Sequence, residues 1–188
     1  MKKGDYLSTI LRSRKTVFSF KDIVLLWGDS GNAARVRLQY YVKKKDLYPI
    51  RYGLYAKDQH YEKLELATRI YTPSYISFET ILGIEGITFQ YYSQIFVASY
   101  LSREIECKKQ AYVFRKIKNE ILTEKKGLKN NGEYWIASKE RAFLDTLYLH
   151  KDYYFDNLSP LDRNAIFEIL PIYKSKRMAQ KINQLWNL

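Results

Sequence analysis

Apolar residues in the first 58 or so positions fall into three stretches of helical spacing, followed by two short extended ones. Tyr6, Leu7, Ile10 and Leu11 recur at helical intervals and predict a short first helix, Asp5–Arg12. Ser19-Phe-Lys-Asp22 approximates a capping box, in which a serine hydroxyl and an acid three residues later satisfy the free N–H groups of a helix start. The second helix predicted there carries Phe20, Ile23, Val24 and Trp27 on one side. Gly28-Asp29-Ser30-Gly31 breaks it in a tight turn, with Asp29 or Ser30 placed to cap the next helix. That third helix is expected from about residue 32 to 45. Beyond it, residues 47–50 and 52–56 read as strands, with Gly53 at the turn or bulge between them and free to take a positive φ.

Helix, helix, glycine turn, helix, hairpin is the order of a winged helix-turn-helix. The remainder alternates without repeats and predicts a mixed domain. Residues 61–71 read as a helix that links the two parts. Residues 77–82 read as a short helix capped by Ser77. Residues 94–100 and 110–118 are rich in β-branched and aromatic side chains and read as strands, with another at 132–136. An amphipathic helix is expected over 138–149 behind a capping Ser138, a further one after the start signal Ser159-Pro160-Leu161-Asp162, and a last basic one over about 174–186. The expected fold class is therefore α+β: a winged helix-turn-helix over 1–60, then a mixed α/β domain over 61–188.

Charge sharpens this division. The chain carries a net +12, and its first 60 residues hold 13 lysines and arginines against 5 acids, a net +8. Two-thirds of the excess sits in one third of the chain, which points to a polyanion bound at that end. On a helical wheel centred on Ala34, Leu38 and Tyr41 face inward with Val42 just beyond, while Asn32, Val36, Gln39 and Lys43 fall on the far side. Ala33, Arg35 and Tyr40 flank that outer face, and Arg37 sits at its border. Asn and Gln pair bidentately with adenine and Arg with guanine, whereas Lys neutralises phosphate as a point charge. The expected DNA-contacting residues are Asn32, Arg35, Arg37, Gln39, Lys43, Lys44 and Arg51, with Arg51 at the wing tip reaching backbone or minor groove.

Other motifs carry little chemistry. Gly28-Asp29-Ser30-Gly31 spells the surroundings of a serine nucleophile, but no histidine precedes it; the two in the chain are His60 and His150. His150-Lys151-Asp152 has no second ligand at metal spacing and reads as an exposed helix end. Asp145, four residues after Arg141, reads as a buried structural acid. Cys107 is the one cysteine and reads as an ordinary thiol, although Lys108 and Lys109 adjoin it. Neither catalytic residues nor a metal or cofactor site are expected, and the chain is not expected to be an enzyme. With no export signal in MKKGDYLSTI and no apolar run long enough to span a bilayer, the cytoplasm is the expected compartment and no membrane partner is expected.

Three segments resemble the AbiEi family of antitoxins of type IV toxin–antitoxin systems. Leu47-Tyr-Pro-Ile-Arg51-Tyr52-Gly53-Leu54-Tyr55-Ala56 is similar to the family's leucine, basic stretch and Gly-x-Tyr-Ala. Pro73-Ser-Tyr-Ile-Ser77-Phe-Glu-Thr80-Ile-Leu82 resembles its Tyr-Ile-Ser helix start, and Ile136-Ala137-Ser138-Lys-Glu-Arg141-Ala142-Phe-Leu144-Asp145 its Ile-Ala-x-x-Glu-Lys/Arg-Ala-Leu-x-Asp stretch. Tyr52 stands where a second arginine is common, and Ile81 where a small residue is usual. The resemblance implies a winged helix that binds inverted repeats in double-stranded DNA upstream of its own operon and represses it. It also implies a C-terminal domain with antitoxin activity against a nucleotidyltransferase-like toxin, exerted without a stable complex. The competing expectation is an RNA-binding or protein-interaction module on the C-terminal sheet. There Tyr91, Tyr92, Phe96, Tyr100, Tyr112 and Phe114 interleave with Arg103, Lys108, Lys109, Arg115, Lys116 and Lys118.

Overall fold

The structure is a computed structural model that describes residues 5–186. Residues 1–4, where the stretch read for an export signal begins, lie outside the described residues. The fold is α+β, with two sheets among the described residues, and it divides into two units, the first ending at Ile70 and the second beginning at Tyr71.

In the first unit, α1 is Asp5–Arg12, β1 is Val17–Ser19, α2 is Phe20–Trp27 and α3 is Gly31–Lys43; β2 is Tyr48–Arg51, β3 is Leu54–Ala56 and α4 is Lys63–Ile70. The expected capping box starts α2: the Asp22 N–H donates to Ser19 Oγ at 3.1 Å, and the Ser19 N–H donates to Asp22 Oδ2 at 2.9 Å. Gly28 ends the helix in the left-handed region at φ 64°. Ser30 then caps α3 by accepting from the Ala33 N–H. Ile10, Phe18, Ile23, Trp27, Ala34, Leu38, Tyr41 and Leu47 form one buried core, so α3 faces inward as its wheel predicts.

The sheet of this unit has the order β1-β3-β2, antiparallel throughout. Pro49, which has no N–H to donate, lies on the edge strand β2, where the ladder is irregular between Pro49 and Arg51. Gly53 turns the chain into β3 at φ 74°. The first unit runs ten residues past the expected end at 60 because α4 belongs to it. Glu65, buried on α4, accepts from the Thr16 N–H at 2.9 Å and its hydroxyl at 2.7 Å.

In the second unit, β4 is Ser74–Ile76, α5 is Glu79–Ile84, β5 is Ile95–Ser99, β6 is Arg103–Cys107 and β7 is Gln110–Lys116. Then come α6 (Asn119–Thr123), β8 (Leu128–Asn130), β9 (Trp135–Ala137), α7 (Lys139–Leu149), α8 (Arg163–Ile169), a 3-10 turn (Leu170–Tyr173) and α9 (Lys176–Leu185). The six strands run β6-β7-β5-β4-β9-β8, with β5–β7 and β4–β9 parallel.

Two expected caps are corrected. Ser77 does not cap a helix: α5 begins at Glu79, and the Ser77 hydroxyl donates instead to the buried Asp145 at 2.7 Å. Ser159-Pro160 lies short of α8, whose cap is Asp162, accepting from the Asn164 and Ala165 N–H groups. No helix among the described residues is long and apolar enough to cross a membrane.

Candidate nucleic-acid interface

Six of the seven expected contact residues stand exposed. Asn32, Arg35, Gln39, Lys43 and Lys44 lie on or just after α3, and Arg51 ends β2. Four of them converge: Arg35, Gln39, Lys43 and Arg51 line a groove of about 660 Å³ between α3 and the β2–β3 hairpin, with Tyr52 and Pro49. None of its lining residues is acidic. Three cations face one concave surface with no carboxylate to neutralise them, so the groove presents a positive field to solvent. Arg35 stacks over the Phe20 ring at 5.5 Å, which holds its guanidinium at the groove wall. Lys44, after the last turn of α3, lies over Tyr40 at 4.8 Å, outside the groove.

The seventh residue is placed differently. Arg37 pairs with Asp29 in the α2–α3 turn, and its guanidinium lies 3.5 Å from the centre of the Tyr6 ring and 5.7 Å from that of Trp27. The Trp27 indole N–H in turn donates to the Tyr6 carbonyl at 2.9 Å. Arg37 thus ties α3 to α1 and to the turn. The wheel put it at the border of the outer face, and the neighbours that claim it come from two other segments. The sequence pattern also gave no role to Tyr52, fully exposed at the hairpin tip; its place beside a positive-φ glycine is the signal that marks it.

The motif serine Ser30 is spent on capping α3. His150 ends α7, and burial together with the nearby Arg115 lowers its pKa. Asp145 proves buried, as its spacing from Arg141 suggests. Arg141 Nε donates to it at 3.3 Å, and the Tyr75, Ser77 and Tyr173 hydroxyls donate at 3.0, 2.7 and 2.7 Å. Arg141 also donates to the Lys126 and Ile121 carbonyls, each at 2.7 Å. Burial pushes the Asp145 carboxyl up, against the opposing pull of Arg141 and the three hydroxyls. Every polar atom here has an internal partner, so the network is structural.

Of the six aromatic rings expected as stacking platforms on the C-terminal sheet, three are buried, while Tyr91 and Tyr100 are exposed and Tyr92 is half-buried. Phe96, Tyr112 and Phe114 are buried at 3%, 0% and 1% exposure, and Arg115 is committed to Glu79 at 2.7 and 3.0 Å. The period-two pattern there is that of a sheet with a core face. Comparison of the sequence with known protein families and with characterised proteins found no match to either.

Proposed function

We propose that the first unit is a winged helix that binds double-stranded DNA, and that the protein represses transcription by occluding a promoter. In this reading α3 enters the major groove, the β2–β3 hairpin is the wing, and Lys43, Lys44 and Arg51 hold phosphates while Asn32, Arg35 and Gln39 meet base edges. The observation that carries it is the acid-free groove lined by Arg35, Gln39, Lys43 and Arg51 between a helix and a hairpin. Position supports it as well. The Arg37–Asp29 pair and the contacts of Arg37 with the Tyr6 and Trp27 rings fix α3 from behind, which leaves its outer face for a ligand. The reaction is binding alone, with no catalytic step and no cofactor.

Autorepression through inverted repeats and antitoxin activity rest on the family resemblance. Within the two segments that carry the resemblance in the second unit, Ser77, Arg141 and Asp145 are committed to the core network.

A mobility shift tests the DNA reading. The full chain is titrated against duplex DNA from upstream of its own gene and against an unrelated duplex, alongside the double variant Arg35→Ala/Lys43→Ala. Selective binding that weakens steeply with salt is expected, with the double variant lowering the log–log salt slope by about one through Lys43 and losing selectivity through Arg35. A flat salt response, or a double variant that binds as the parent does, would overturn it.

A further inference from the structure

One row of α3 holds an apolar side chain where the fold has no use for it. Asn32, Val36, Gln39 and Lys43 recur at intervals of four, three and four residues, which aligns them along one side of the helix. All four are exposed, Val36 to 70%. The opposite row, Ala34, Leu38 and Tyr41, supplies the core contacts. Val36 therefore gives no core packing, and a β-branched residue is a weak helix former on an exposed face. Among the described residues no hydrogen bond engages the side-chain amides of Asn32 or Gln39. The row reads amide, methyls, amide, ammonium, all open to solvent.

Asn32, Val36 and Gln39 each have a complementary base feature in a major groove. An amide offers one donor and one acceptor, which matches adenine N7 and N6–H₂; guanine presents two acceptors there and would leave the amide oxygen unpaired. Thymine alone carries a C5 methyl, the apolar partner for a valine. From Asn32 to Gln39 the helix rises about 10.5 Å, which is roughly three base-pair steps.

We infer that this row makes the protein selective for a short run of A·T pairs, with Asn32 and Gln39 on adenines and Val36 packed against a thymine methyl. The inference rests on the proposed entry of α3 into a major groove. Val36 is then the residue that sets specificity, and Lys43 anchors the row to a phosphate.

The test starts from a randomised duplex pool selected with the full chain. Recovered sites should share a core of three or four A·T pairs. The best site is then resynthesised with deoxyuridine for thymidine in that core, which removes the methyl and leaves every hydrogen-bonding edge in place. The parent protein should lose about fourfold in affinity, the worth of one buried methyl. Val36→Ala should bind the thymidine site more weakly by a similar factor and should not distinguish the two duplexes. Because Val36 is exposed, the variant should melt as the parent does, which separates the effect from misfolding. A G·C core, or a parent that binds both duplexes equally, overturns the role of Val36 and leaves DNA binding standing. Failure to retain any duplex at low salt overturns DNA binding and this inference with it.

Discussion

Arg35 on α3 and Arg141 on α7 are both guanidiniums within helices, and the two units use them in opposite ways. Arg35 leans on one ring and otherwise faces a groove whose other charged groups are also positive. Arg141 has no exposure, and its donors go to Asp145, Tyr75 and two carbonyls. A charge that its own fold satisfies is a structural element, however basic the sequence around it. One left unmet beside others of its sign is available for a ligand. Arg37 shows the distinction inside one helix, since two residues from Arg35 it is already committed to Asp29 and Tyr6.

The largest effect should come from breaking the satisfied side. Asp145→Ala leaves Arg141 charged in the core and should cost about 3–5 kcal/mol in urea unfolding of the full chain, whereas Arg141→Met with Asp145→Leu should recover much of it. A cost below about 1 kcal/mol for the single variant would mean the network is not the core element described.

Gly127 tests the same region by volume. It sits at φ +75°, and an added Cβ would lie 2.8 Å from Ile169 Cδ1 and 3.0 Å from Arg141 Cβ. Gly127→Ala should therefore cost about 1–3 kcal/mol in the same measurement. An unchanged unfolding midpoint would show that Ile169 yields freely.

Arg37→Ala should destabilise the first unit by about 1–2 kcal/mol through its lost ring and carboxylate contacts, with hydrogen exchange locating the loss to α1–α3. The salt slope of DNA binding should stay as in the parent, unlike that of Lys43→Ala. A slope lowered by about one would move Arg37 back among the phosphate contacts.

The smallest effect depends on pH. Burial would raise the Asp22 carboxyl, but hydrogen bonds from Ser19 and Lys15, with Arg69 nearby, outweigh it and hold its pKa below the ordinary 3.8. Its stabilisation is thus complete above that value and lost as the pH falls through the lower, folded value. Asp22→Asn should cost about 1 kcal/mol at neutral pH, and the gap from the parent should close on acidification.

Local signals carried much of the first unit. The Ser19–Asp22 box, the Gly28 stop and the α3 wheel are contained within a few residues each, and the structure has all three. What the pattern hid depends on distant partners. β1 is three residues long and exists because Val17, Phe18 and Ser19 pair with β3 nearly forty residues later. β4 was masked by reading Ser77 as a cap, since its true acceptor Asp145 lies 68 positions away. β6, Arg-Glu-Ile-Glu-Cys, is too polar to announce itself and is held as an edge strand by β7. Of the interface, residue types and exposure were readable on α3; convergence with Arg51 into one groove, and the diversion of Arg37, needed the tertiary fold.

The Glu65–Thr16 clasp also governs how the first unit could be moved between proteins. A graft that ended at the hairpin would carry every surface residue of interest yet strand Thr16 without its carboxylate and Asp22 without Arg69. Recombination that keeps this module portable must cut after Ile70. The helix that follows the hairpin in the chain, packed on β1 and with no place in the groove itself, is what travels with it as a seal.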